Sequence, residues 1–223
     1  SWVAADRIEV LDFDGDGKQD IMLIGSSLTE VFTLDGYNAV RIYSGNSLTT
    51  ASGELFFADF NGDGKTDILE VSEDLSALKK WVSLGNTLIQ SSIDISHTTS
   101  KWPTPIRPEY DENAVVIGDY NGDGKSDIFI RWARAATTSL PDGSTQVERR
   151  TGEDFYYSQG DTFTYQEITY NLSTYILGPV GRGVTAIYDF PTDLNGDGRT
   201  DLVSSVGNAF SYIIFNKDGK ENL

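Results

Sequence analysis

Short stretches of alternating apolar and polar residues recur along this chain in sets. RIEVL at 7–11, ELFFA at 54–58, AVVIG at 114–118 and VTAIY at 184–188 each precede a polar segment. Beyond it come DIMLIG from Asp20, DILEV from Asp67, DIFIRW from Asp127 and DLVSSV from Asp201. A third run follows at VRIYSGN (40–46), KWVSLGN (80–86), DFYYSQGD (154–161) and SYIIFNKDG (211–219), and a fourth in three sets at SLTTAS, TLIQSSIDI and TFTYQEITY. Period-two alternation, β-branched and aromatic content, and Gly, Asn and Asp at the breaks mark strands rather than helices. The pattern predicts four strands per set. EDLSALKK at 73–80 has helical spacing but only the length of a connection between second and third strands.

Between the first and second run of every set lies the same nonapeptide: DFDGDGKQD at 12–20, DFNGDGKTD at 59–67, DYNGDGKSD at 119–127 and DLNGDGRTD at 193–201. The first aspartates are 47, 60 and 74 residues apart, overlapping the roughly 40–50 residues of a propeller blade, with extra loop length in the later units. The expected fold is therefore all-β: a β-propeller, or a propeller segment of about four blades, with units near 7–52, 53–97, 113–171 and 183–223. A solenoid is the alternative. The Pro-rich 98–112 reads as an inter-blade loop and 134–153 as an extended hairpin tip. The fourth unit shows three strands before the chain stops at KDGKENL. That reads as a cut inside a blade, either of a larger ring or of a four-bladed ring closed by SWVA.

Asp or Asn at positions 1, 3, 5 and 9 of a tight loop sets side-chain oxygens on one side, a cage for a hard cation. Glycine at position 6 permits the turn, and the carbonyl at position 7 adds a ligand. The expected ligands are Asp12, Asp14, Asp16, Lys18 and Asp20 in loop one, and Asp59, Asn61, Asp63, Lys65 and Asp67 in loop two. In loop three they are Asp119, Asn121, Asp123, Lys125 and Asp127; in loop four, Asp193, Asn195, Asp197, Arg199 and Asp201. Oxygen-only ligation suits Ca²⁺ better than Mg²⁺, so about four calcium ions are expected. An EF-hand would need Glu at position 12, where only loop two complies, with Glu70 inside a strand pattern.

A net charge of −17 disfavours nucleic acid and anionic membrane surfaces as partners, and about four Ca²⁺ would reduce it to about −9. There is no cysteine and one histidine, His97, so thiolate and multi-histidine metal sites are excluded. No apolar run reaches the roughly 18 residues of a membrane span. Without a nucleophile elbow, P-loop or dinucleotide fingerprint, the chain is expected not to be an enzyme. Trp2, Trp81, Trp102 and Trp132, with tyrosines from 156 to 175, are the aromatics available for stacking on a sugar, although blade cores also need such side chains.

The motif D-x-[DN]-G-D-G-[KR]-x-D, followed by Ile or Leu, resembles the FG-GAP or VCBS repeat of integrin α-subunit propellers and of many bacterial secreted and surface proteins. With WVSLGN or FYYSQGD downstream it is similar to repeats in Rhs and insecticidal toxin-complex proteins and in propeller lectins. The resemblance implies a non-enzymatic, calcium-stabilised scaffold or recognition module in a secreted or surface protein. Its partner would be a protein or glycan, or the rest of a larger propeller. A carbohydrate-binding propeller lectin and a toxin-complex or Rhs shell are the alternatives. Calcium affinities of about 10⁻⁴–10⁻³ M in such modules match extracellular calcium, hence an extracellular or cell-surface location. Pro191 and Thr192 depart from the pattern as an extra pair before loop four, where they are expected to disturb Asp189 or Asp193.

Overall fold

Each set folds as a four-stranded antiparallel sheet in plain up-and-down order, and the nonapeptide joins its first two strands. The computed structural model describes residues 5–48, 53–72, 77–95, 114–139, 145–167, 187–206, 209–215 and 221–222. Sheet one comprises β1 (Arg7–Leu11), β2 (Asp20–Ile24), β3 (Leu28–Asp35) and β4 (Asn38–Asn46). Sheet two comprises β5 (Gly53–Ala58), β6 (Asp67–Ser72), β7 (Leu78–Ser83) and β8 (Leu88–Ile93). Sheet three holds β9 (Ala114–Gly118), β10 (Asp127–Ser139), β11 (Thr145–Ser158) and β12 (Phe163–Glu167). Sheet four holds β13 (Ile187–Thr192), β14 (Asp201–Val206), β15 (Ala209–Phe215) and β16 (Glu221–Asn222). The architecture is all-β, built of four blade-like meanders, with no helix among the described residues.

One register recurs. The last residue of every first strand pairs with the aspartate that closes the loop: Leu11 with Asp20, Ala58 with Asp67, Gly118 with Asp127 and Thr192 with Asp201. This corrects the reading of Pro191 and Thr192 as an insertion. The first strand of sheet four is described over Ile187–Thr192, running on past the expected end at 188, and loop four starts in the same register as the others. Pro191 is tolerated because β13 is an edge strand, where a missing amide need not break a ladder on both sides.

Sheet one corrects a second expectation. VRIYSGN belongs to the fourth strand, not the third, and SLTTAS is no strand where it is described, at Ser47 and Leu48. The third strand is Leu28–Asp35, joined to β4 by a two-residue turn, Gly36–Tyr37, with Gly36 at φ 60°. Asp-Gly at a hairpin tip is the signal for that tight connection. In sheet four a fourth strand does begin, at Glu221–Asn222 against β15. Residues 134–139 and 145–153 form the arms of a long hairpin, paired out to Ser139 and Thr145. The connection at 98–112, with His97 and Trp102, lies outside the described residues.

The described chain divides into two compact units, Ser1–Thr99 with Gly160–Thr162, and Ser100–Gln159 with Phe163–Leu223. In the first, sheets one and two share a core that includes Leu11, Phe13, Met22, Val31, Leu55 and Ile68. In the second, Val116, Tyr120, Phe129, Phe155 and Leu202 form the corresponding cluster. The Phe155 ring lies 5.1 Å from Tyr120 and 4.9 Å from Phe129, within the range of favourable aromatic contact.

Candidate metal centre

Carboxylates so close in sequence repel unless something organises them, and here the loop's own backbone does so first. In loop one, Asp12 accepts from the amides of Gly15 (2.8 Å) and Gly17 (2.9 Å), one on each oxygen. Asp59, Asp119 and Asp193 repeat this with the glycine amides at positions 4 and 6 of their loops. Position 3 accepts from the amide of position 5, and position 5 from that of position 7, in all four loops. These contacts require both glycines to have positive φ: 77° and 81° for Gly15 and Gly17, with near-identical values in the other three loops. Position 6 was legible as a turn glycine; position 4 was not. Gly17→Ala forces a left-handed alanine with open space around its Cβ, so the cost is backbone strain alone, about 1–2 kcal/mol. Urea unfolding of the variant checks this value.

The position-5 aspartates face the lysines two residues on. Asp16 meets Lys18 at 2.7 Å, Asp63 meets Lys65 at 3.0 Å and Asp123 meets Lys125 at 3.1 Å. The Lys18 side chain and amide hold the Asp16 carboxyl below its ordinary value. At Asp63 burial opposes the fall, but the Lys65 amide and ammonium, with Asn61, outweigh it. In loop four Asp197 accepts from the Asn195 side chain at 3.1 Å and the Arg199 amide at 3.0 Å. Exposed pairs of this kind contribute little to stability; they orient the carboxylate.

Position 9 is different. Asp20, Asp67, Asp127 and Asp201 are fully buried, and each accepts from the amide of position 2: Phe13 (3.0 Å), Phe60 (3.1 Å), Tyr120 (3.0 Å) and Leu194 (2.8 Å). In sheets two and three the second oxygen is also taken. Asp67 Oδ1 accepts from Ser83 N at 2.9 Å and Asp127 Oδ1 from Ser158 N at 2.7 Å, both at the end of the third strand. Asp20 Oδ1 is buried and meets no donor at hydrogen-bonding geometry, although the Thr33 hydroxyl lies close enough to temper the rise that burial imposes on this carboxyl. Ligand oxygens of Asp12, Asp14 and Asp20 all lie within 4.8 Å of one another. This arrangement fits a hard cation: three carboxylates converge, and one of them is fully buried.

Position 2 is the functional residue that the motif reading passed over. Phe13, Phe60 and Tyr120 are almost fully buried, so each loop is pinned by an aromatic plug as well as by its closing aspartate; Leu194, half exposed, is the weaker version. The signal was present as a large apolar residue inside an otherwise polar nonapeptide, four times over. Phe13 also carries a relay between loops. Ser83 Oγ donates to Phe13 O at 2.6 Å, and Ser83 N donates to Asp67, so the closing aspartates of loops one and two are joined through one serine and one phenylalanine. A backbone bond lies beside it, Thr66 N to Asp12 O at 2.7 Å, and recurs in the second unit as Thr200 N to Asp119 O, also 2.7 Å.

Burial pushes Asp67 up to about 6 and Asp127 up to about 7, against partial relief from their amide donors. Folded, both hold their proton more tightly than an ordinary aspartate at 3.8. Protonation therefore favours the native state, and in the ion-free chain stability is lost as pH rises from about 4 to about 7. With chelator present, the melting temperature is expected to be higher at about pH 5 than at about pH 7.5, and Asp67→Asn with Asp127→Asn should flatten the difference. A thermal scan across pH in which the double variant keeps the full slope would show that other groups control it.

The profile of the FG-GAP-like repeat matches residues 12–70, from loop one through most of β6. No curated protein matches the chain. Among solved structures, one described as the structural basis of specific recognition of non-reducing terminal N-acetylglucosamine by an Agrocybe aegerita lectin is similar at 16% identity and a TM-score of 0.45. That similarity covers 99% of this chain and 66% of the lectin chain.

Proposed function

We propose that this chain is a non-enzymatic recognition and scaffolding module, stabilised by calcium in its nonapeptide loops, of a secreted or surface protein. The observation that carries the reading is the convergence of Asp12, Asp14 and the buried Asp20, with ligand oxygens within 4.8 Å of one another, within a segment that matches an FG-GAP-like repeat. Asp12, Asp14 and Asp20 would hold the ion. It would supply charge neutralisation in a chain of net charge −17 and a tie between the first two strands of a sheet. An ion bound only by the folded chain adds to stability by mass action, about 2.7 kcal/mol at a hundredfold excess over Kd.

The expected result is a melting temperature several degrees higher in millimolar calcium than in EDTA, recovered poorly by magnesium. A chelator-insensitive melting curve overturns the reading. The partner is a macromolecule, protein or glycan. Trp81 is partly buried against the core of sheets one and two, and its indole N–H donates to buried Glu70 at 3.1 Å, which favours a structural role over a sugar platform; Trp2 and Trp102 lie outside the described residues. A glycan array separates the classes: a saturable sugar signal makes the module a lectin, and a blank array leaves protein partners, including assembly into a toxin-complex or Rhs shell.

A further inference from the structure

We propose that the chain associates head to tail with a second copy of itself, an uncovered face of sheet one receiving the opposite face of sheet four. The chain builds this kind of joint twice within itself. The face of sheet one that carries Leu11, Phe13 and Met22 packs against the face of sheet two that carries Leu55, Phe57 and Ile68. In the second unit the matching face of sheet three, with Val116, Tyr120 and Phe129, packs against Leu202 of sheet four. These positions correspond because the closing aspartate holds one register in every sheet. Each joint is fastened at its loops. Lys65 crosses Gly15 so closely that a Cβ there would lie 2.9 Å from the lysine Cγ, and Arg199 crosses Gly122 in the same way, at 3.0 Å. Beside these crossings run the bonds from Thr66 N to Asp12 O and from Thr200 N to Asp119 O.

One half of each kind is unfilled. On sheet one, Ile8 and Val10 stand in the places of Leu55 and Phe57 but are 63% and 62% exposed. The residue after the closing aspartate is fully buried as Ile68, Ile128 and Leu202, and only partly as Ile21. Lys18 is 73% exposed, where Lys65 and Lys125 at the same position are 25% and 28% exposed. On sheet four the opposite face is bare. Phe190 stands in the place of buried Val116 and Leu194 in that of the buried plug Phe13, and both are half exposed. At Gly196, beyond its chain neighbours, nothing lies within 4 Å of the point that a Cβ would occupy. Sheet one thus offers a lysine with no glycine beneath it, and sheet four a glycine with no side chain across it. Gln19, at the eighth position of loop one, has the amide for the main-chain bond, although not the threonine hydroxyl. Apolar surface left open in this way marks an interaction face. Because both halves belong to one chain, identical copies suffice, and the contact is heterologous.

Sedimentation velocity of the chain in millimolar calcium tests this. The expected result is a concentration-dependent mass above the 24.5 kDa of a single chain. Val10→Asp and Leu194→Asp each alter an exposed side chain, so both variants should fold. Each should weaken association at least about tenfold, since the joint would bury an unpaired carboxylate. Mixing the two variants should restore a dimer that grows no further, because one brings an intact sheet-four face and the other an intact sheet-one face. An unmodified chain that stays monomeric up to about 0.1 mM, an association that either variant leaves unchanged, or a mixture no heavier than its components each overturns the proposal.

Discussion

Asp67→Ala is expected to destabilise the first unit by about 2–6 kcal/mol, because it strands two buried amides at once, Phe60 N and Ser83 N, each costing about 1–3 kcal/mol without an acceptor. The loss does not stop at loop two. Ser83, freed from Asp67, no longer holds a fixed position for its hydroxyl against the Phe13 carbonyl, so loop one is loosened from a distance. Asp67→Asn keeps a carbonyl oxygen for one of the amides and should cost markedly less. Urea denaturation followed by tryptophan fluorescence measures both. A loss below about 1 kcal/mol for the alanine variant would mean that the buried carboxylate is not what closes the loop.

The second large effect is expected from Phe13→Ala, at about 3–5 kcal/mol for emptying a fully buried aromatic position. The ring packs in the shared core of sheets one and two, with its centroid 5.5 Å from that of Tyr43, and its own amide binds Asp20. The variant should therefore lose stability and calcium affinity together. Phe13→Leu keeps most of the volume and should recover much of both. If calcium binding in the folded alanine variant were undiminished, the plug would be a core residue and nothing more.

The nonapeptide repeat made the four sheets legible before any coordinates, because a fixed register follows from placing the closing aspartate opposite the last residue of the first strand. What was misread lay where two signals compete. In sheet one the run TEVFTLDGYNAVRIY holds two strands and a tight turn, but the more conspicuous YSGN terminus drew the strand boundary too late in the chain. At Pro191 a residue that usually interrupts a strand sits on an edge, where the rule does not bind. The candidate site was legible as composition but not as division of labour. Nothing local distinguishes Asp20 from Asp67, since the donor that separates them, Ser83 N, comes from the end of the third strand, far along the chain from the loop. Likewise the spacing showed Asp16, Asp63 and Asp123 as candidate ligands but not that each also meets the lysine two residues on.

The bond from Thr66 N to Asp12 O, matched by that from Thr200 N to Asp119 O, involves main-chain atoms alone. Both residues that make it are threonines at the eighth position of the motif, and in the second unit the side chain joins in, Thr200 Oγ1 accepting from Asp119 N at 2.9 Å. A designer who transplants one nonapeptide for another should therefore keep threonine at that place as well as the register, because a shift by a single residue moves both the amide and the hydroxyl off their partners.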